Sequence, residues 1–213
     1  MSPDNPGARR RAVTEADKER RREAILAAAK RVFARKGYHA TKISDIARAA
    51  RISYGSIYWY FDSKDALFDA VIEAEERRLR EHIQRALEPG AGNGDVVAHL
   101  RDAVRTTFEF FENDRAATRL LFREASGRRV YEHFVDDIEA MVRDAQRRGL
   151  VIDAPPRLVA TSVVAFIGQL AQRRLTADDG VDAATAADFV VRVLLEGLIP
   201  RTGTRLTRQS AHR

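Results

Sequence analysis

Apolar residues recur along this chain at intervals of three and four, and no segment sustains the alternation of a half-buried strand, so the expected fold is all-α. Thr41 is an N-cap type, and Ile43, Ile46, Ala47 and Ala50 follow at i, i+3, i+4 and i+7, which predicts a helix over Lys42 to Ala50. Arg51, Ile52 and Ser53 break the stripe. Ser53 is placed to cap a second helix on which Ile57 and Phe61 stack one turn apart on the buried side. Asp62 or Ser63 caps the next helix, predicted over Lys64 to Leu87.

Breakers divide the rest. PGAGNG at 89–94 precedes a helix from Asp95 to Asn113, and a short helix from near Asp114 is ended by Ser126, Gly127 and Arg128. Val130 to Arg148 follows, then a loop at 149–156 closed by Pro155 and Pro156, and two last helices, Arg157 to Leu175 and Ala183 to Ile199. With the first helix, which carries Ala27, Ala28 and Ala29, nine helices are expected. Residues 200–213 hold too little apolar surface to fold and are expected to stay disordered. The most apolar segment, Leu158 to Leu170, includes Thr161, Ser162 and Gln169 and is too short to span a bilayer, which takes about 20 apolar residues.

Charge adds a direction. Residues 1–64 hold 15 Lys and Arg against 7 Asp and Glu, whereas residues 65–213 hold 22 against 24. One end of the chain is therefore suited to a polyanion and the other to an ordinary soluble body. The second helix of the predicted helix-turn-helix carries Tyr54, Gly55, Ser56 and Tyr58 near its start, groups able to approach base edges and phosphates in a major groove. Lys64 sits in the first turn of the following helix, where backbone N–H groups favour a phosphate. Arg9 to Arg11 and Arg20 to Arg22 form a basic arm that is either a solvated tail or a minor-groove contact.

Other chemistries find little support. The chain has no Cys, which fits a reducing cytoplasm, and its N-terminus lacks the apolar core of a signal peptide. The histidines 39, 82, 99, 133 and 212 are scattered, and the pair His133 and Asp137 falls short of a metal site, so neither metal nor cofactor is expected. No GxGxxG, GKS/T or GxSxG occurs, and nothing nominates catalytic residues.

The run from Glu23 to Leu67, EAILAAAKRVFARKGYHATKISDIARAARISYGSIYWYFDSKDAL, resembles the N-terminal domain of the TetR family of bacterial transcriptional regulators. Phe33, Gly37, Thr41, Ile46, Ala47, Ser53, Gly55, Tyr58, Phe61, Lys64 and Leu67 carry the likeness. The resemblance implies that Tyr54, Gly55 and Tyr58 meet bases, that Thr41, Ser56, Tyr58, Tyr60 and Lys64 meet the sugar-phosphate backbone, and that Lys42, Ser44, Ser53 and Trp59 complete the DNA-facing set. One position departs: Arg51 stands where the family has a turn glycine, at a cost of about 1 kcal/mol if the backbone is left-handed. Either the turn is shaped differently or Arg51 adds a phosphate contact.

The expected organisation is a basic arm (1–17), a helix-turn-helix domain (18–64), an effector-binding and dimerisation domain (65–199) and a tail (200–213). Val104, Phe108, Phe111, Leu121, Phe134, Ile138, Met141 and Phe166 are the candidate pocket residues, with core packing as the alternative for each. Arg105, Arg119 and Arg123 either face an anionic ligand or pair with Glu109, Asp102 and Glu124. The resemblance implies a homodimer through the last two helices, with Leu158, Ser162, Ala165, Phe166, Gln169, Val190, Val193, Leu194 and Gly197 at the interface. The expected protein is a cytoplasmic repressor of a palindromic double-stranded operator. Helix spacing similar to that of fatty-acid-responsive members makes acyl-CoA the first effector to consider. The alternative is a helical enzyme or ligand-binding module with nonspecific nucleic-acid binding.

Overall fold

The computed structural model describes residues 14–87, 96–123, 127–174 and 180–196, which form nine α-helices and no strand among them. Arg9 to Arg11, the 89–94 breaker, Gly197 and the tail at 200–213 lie outside the described residues. No helix among the described residues is long and apolar enough to cross a membrane.

Helix α1 (Glu15–Lys36) opens on a capping box: the Thr14 hydroxyl accepts from the Asp17 amide and the Asp17 carboxylate accepts from the Thr14 amide, both at 3.1 Å. Glu15 to Asp17, expected from sequence as the end of a flexible arm, are thus the first turn of a helix. Arg20 to Arg22 lie on the same helix, Arg20 held 2.5 Å from Asp17 and Arg22 set 5.3 Å from the centre of the Phe61 ring.

Helix α2 (Ile43–Ala50) starts one residue later than expected, because Lys42 occupies the N-cap and Asp45 accepts its amide at 3.2 Å. Thr41 is buried instead, and its hydroxyl donates to the Gly37 carbonyl at 2.7 Å. Arg51 closes α2 with φ 56° and ψ 44°, so the turn keeps the left-handed shape for which glycine is suited, at a cost of about 1 kcal/mol. Helix α3 (Tyr54–Tyr58) is capped by Ser53, and helix α4 (Lys64–Leu87) by Ser63, whose hydroxyl accepts from the Ala66 amide at 3.0 Å.

Ile25, Val32 and Phe33 of α1, Ile46 of α2, Ile57 of α3 and Leu67 and Phe68 of α4 meet in one buried cluster. Phe68 stands edge-on to both Phe33 and Tyr38 at 5.0 Å. Truncating a fully buried ring such as Phe33 to Ala costs about 3–5 kcal/mol.

The body comprises α5 (Val96–Asn113), α6 (Arg115–Arg123), α7 (Gly127–Arg147), α8 (Pro156–Arg174) and α9 (Ala183–Glu196). Helix α5 packs between α4 and α9, α7 lies along α8, and α6 reaches back to α1. Gly127 begins α7 and does not break the chain there as expected: a Cβ at this position would stand 3.0 Å from the Leu121 carbonyl oxygen, so glycine lets α7 start tight against the end of α6.

Head and body share a core that runs through Val71, Ile72 and Leu79 of α4 to Phe108 and Leu121. Charge fixes the same joint. Lys30 of α1 donates to Glu75 of α4 at 3.0 Å and to Asp114, the residue before α6, at 2.7 Å, while Arg78 bonds the same two acids at 2.5 and 3.1 Å. Burial alone would raise Asp114, but hydrogen bonds from Lys30, the Ala117 amide and Arg78 hold its carboxyl below the usual carboxylate range.

Candidate nucleic-acid interface

The exposed face of α3 follows from what its other side buries. Ile57 is fully buried and Phe61, one turn on, nearly so, which turns Tyr54, Tyr58 and Trp59 outward at 55%, 42% and 88% exposure. The two tyrosines are coupled: their hydroxyls are 3.1 Å apart and their rings meet edge to face at 5.3 Å. That hydrogen bond pushes the Tyr58 hydroxyl up from its ordinary pKa. One shared proton leaves the pair with one free O–H donor and spare acceptor positions. Gly55 lies between them, exposed, and a Cβ there would meet nothing within 4 Å. Packing within the chain therefore does not require glycine at 55.

Other expected contacts are divided between surface and scaffold. Lys42 and Ser44 are exposed at the start of α2. Ser53 and Ser56 form the α3 cap, the Ser56 amide donating to the Ser53 hydroxyl at 3.2 Å and the two hydroxyls standing 2.6 Å apart. The Tyr60 ring packs against the core. Thr41, expected at a phosphate, is 2% exposed with its hydroxyl committed to Gly37, so its contribution is to shape the loop between α1 and α2. Lys64 braces the same loop, since its ammonium donates to the carbonyls of Tyr38 and Thr41 at 3.1 and 3.2 Å and lies 4.2 Å from the Tyr38 ring centre. Lys36 bonds Asp45 at 2.8 Å, and with the Lys42 amide it holds the Asp45 carboxyl below its ordinary range.

In the body, Val104, Phe108, Phe111 and Leu121 are buried core residues, with Phe134 and Phe166 half-buried against them. Ile138 and Met141 do not join this cluster, and Met141 is 40% exposed; α7 turns Val130 inward instead. Phe108, Phe111, Glu112, Arg115, Ala171 and Arg174 surround a void of about 10 Å³, room for one water molecule. Arg105 pairs with Asp102 at 3.1 Å and lies 3.9 Å from Glu109. The side chain of Arg123 and residue Glu124 lie outside the described residues.

Along α8 and α9, Leu158, Phe189, Leu194 and Leu195 are 62%, 50%, 39% and 42% exposed. Ser162 and Gln169 are exposed among them, Ala165 and Val193 are half-buried, and Phe166 contacts Phe189 at 6.2 Å. Val190, expected at the dimer interface, is fully buried and belongs to the subunit's own core, because α9 turns this face against α5. Sequence reasoning misses the Lys30, Glu75, Arg78 and Asp114 cluster. Only the i, i+3 spacing of Glu75 and Arg78 hints at it.

Residues 25–71 match the family model described as bacterial regulatory proteins, tetR family. The chain is 30% identical over 190 residues to the HTH-type transcriptional activator FasR of Mycolicibacterium smegmatis, covering 85% of this chain and 84% of that protein. Two solved structures share the fold at identities that speak for the fold alone. The fatty acid degradation regulator FadR from Bacillus halodurans aligns with a TM-score of 0.74 at 21% identity over 85% of this chain and 97% of that one. The transcriptional regulator FadR from Bacillus subtilis, in complex with stearoyl-CoA, aligns with a TM-score of 0.70 at 19% identity over 83% of this chain and 99% of that one. A helix-turn-helix with an outward tyrosine pair, the matching family model and a relative of this extent together place the chain in the TetR family of DNA-binding bacterial transcriptional regulators.

Proposed function

We propose that this regulator is a homodimeric repressor that reads a palindromic operator and is released by a long-chain acyl-CoA. The observation that carries the reading end is the coupled, exposed pair Tyr54 and Tyr58 above the buried anchors Ile57 and Phe61. Tyr54, Gly55, Tyr58 and Trp59 meet base edges, and Lys42, Ser44 and the remaining Lys64 N–H meet the sugar-phosphate backbone. Residues 18–64 act as the reading domain and 65–199 as the effector and dimer domain. The exposed apolar residues of α8 and α9 pair with their symmetry mates, since a surface of this kind is costly in water.

Two findings support an acyl-CoA: the fold shared with the stearoyl-CoA complex and the Phe-rich interior around Phe108 and Phe111. With room for one water at that point, an acyl chain enters by separating α5, α6 and α8. Helix α6 then transmits the displacement, because Asp114 at its start is bonded to Lys30 of α1 and Arg78 of α4. Coupling in such systems is about 1–3 kcal/mol, roughly 5- to 150-fold in operator affinity. The test is a titration of long-chain acyl-CoAs against the complex with the protein's own upstream DNA. Release is expected to grow with chain length; no release by any acyl-CoA discards this effector.

The name of FasR favours a second reading, in which the regulator activates. Transcription from the bound promoter separates them: addition of protein lowers output from a repressed promoter and raises it from an activated one.

A further inference from the structure

Arg51 is the one non-glycine residue with positive φ among the described residues. The way α2 stops imposes this. The Arg51 amide turns back to the Ala47 and Arg48 carbonyls, and the Ile52 amide donates to the Ala47 carbonyl at 3.0 Å, a closure that needs a left-handed residue between them. Glycine meets the need without steric cost, and the family pattern carries glycine here.

The fold itself gains nothing evident from a long cation at this point. Arg51 is exposed, and no ion-pair or ring partner is found for it among the described residues. Asp45, the acid of α2, is already held by Lys36 at 2.8 Å and approached by Arg48 at 3.8 Å. A strained, exposed and unpaired guanidinium thus stands three residues before Tyr54, in the turn that leads into the reading face. Strain of this kind persists where the surrounding structure fixes it, here the closure of α2, and residues that carry it cluster at functional sites.

We propose that Arg51 is a contact to the DNA sugar-phosphate backbone, added to the helix-turn-helix at a position where the family pattern supplies only a turn. A guanidinium presents parallel N–H donors to two phosphate oxygens and stays charged at every working pH. The contact positions the head without reading bases, so it raises affinity for operator and random DNA alike. It rests on the DNA-binding function of the family and extends the footprint beyond the motif.

The experiment compares wild type with Arg51→Gly on two duplexes, the protein's own upstream region and one of mixed sequence, across a potassium chloride series. Removing the side chain relieves the backbone, so the melting temperature is expected to hold or to rise by about 2–4 °C. For each reading head bound, affinity for both duplexes is expected to fall by about tenfold and the slope of log affinity against log salt to flatten by about 0.9, so by about twice that when both heads of a dimer are engaged. Arg51→Lys is expected to keep the slope. Arg51→Asn serves as a second uncharged variant, since asparagine tolerates the left-handed region and keeps the test open if the glycine variant folds poorly. Unchanged affinity and slope in the uncharged variants would overturn the contact, as would a loss confined to the upstream region. Wild type that bound neither duplex would overturn the DNA reading itself, a different outcome from variants that bind as wild type does.

Discussion

The two ends of the molecule expose apolar surface in different chemical forms. On α3 and its C-cap the exposed aromatic side chains are Tyr54, Tyr58 and Trp59, each an aromatic body with a polar tip; on α8 and α9 the exposed apolar side chains are Leu158, Phe189, Leu194 and Leu195, with no polar atom beyond the backbone. Aromatic rings with hydroxyl or indole N–H groups suit a partner that is wet and rich in acceptors, as a DNA groove is. Plain aliphatic and phenyl groups suit a dry contact with a surface of their own kind. Between the ends lies a joint of the opposite character, where Lys30, Glu75, Arg78 and Asp114 tie three helices by charge. Each surface is described by what it asks of its partner, and the joint by what it asks of the helices.

The largest expected effect lies at the apolar end. If α8 and α9 form the proposed two-fold interface, Leu194→Glu or Ala165→Glu buries an unpaired charge twice across it and is expected to give monomers by light scattering, whereas intact dimers would rule the interface out. Operator affinity should then fall by at least about 100-fold, because two linked heads gain roughly 10²–10⁴ over one. Val190→Glu sharpens the contrast. Val190 is fully buried within the subunit, so this variant is expected to unfold the subunit outright, visible as lost helical circular dichroism. A folded Val190→Glu monomer would mean that α9 presents the other face.

At the joint, Asp114→Ala leaves Lys30 and Arg78 with fewer acceptors. Asp114 keeps partial solvent contact, 23% by side chain, so the loss is expected at about 1–3 kcal/mol, read as a lower midpoint in urea. The pH dependence has a definite sign. A carboxyl held below its ordinary range contributes stability above its unfolded value, near 4, and that contribution fades as pH falls through the folded value. Wild type is therefore expected to lose stability below about pH 4 more steeply than Asp114→Asn. Equal slopes would remove Asp114 from the joint.

Much of this architecture is legible in the sequence, and the failures have physical causes. Helix α4 starts and ends where its pattern says, since Ser63 caps one end and Leu67, Phe68, Val71, Ile72 and Leu79 keep helical spacing on the buried side, interrupted only by the buried Glu75 and Glu76. Thr41 misleads because a hydroxyl one residue before a helix is equally able to cap it or to bond the preceding loop, and here Gly37 takes it. Val190, Ile138 and Met141 mislead for another reason. Periodicity shows that a helix has an apolar face, but which neighbour covers it depends on packing between distant segments. The Lys30 to Asp114 pair spans 84 residues and has no local signature. The capping box at Thr14 and Asp17 is legible in the sequence but masked by the basic run that follows.

Smaller effects refine the polar end. Lys64→Met removes two bonds to the loop carbonyls of Tyr38 and Thr41 and is expected to cost about 1–2 kcal/mol of head stability by thermal melting. If Lys64 also reaches a phosphate, its salt slope flattens by about 1; an unchanged slope would leave it a loop staple alone. The hydroxyl pair is subtler. Tyr54→Phe and Tyr58→Phe, singly and together, should show a coupling of about 0.5–1 kcal/mol in operator affinity, since removing either hydroxyl frees the other. Additive losses would mean that the two act separately.

The most direct measurement is competition binding of the protein's own upstream DNA against mixed-sequence DNA, for wild type and for the double variant Tyr54→Ala, Tyr58→Ala. Wild type is expected to prefer the upstream DNA strongly, and the double variant to lose that preference while still binding both duplexes through its charged groups. A double variant that discriminated as well as wild type would contradict the assignment of sequence reading to the exposed tyrosine face of α3.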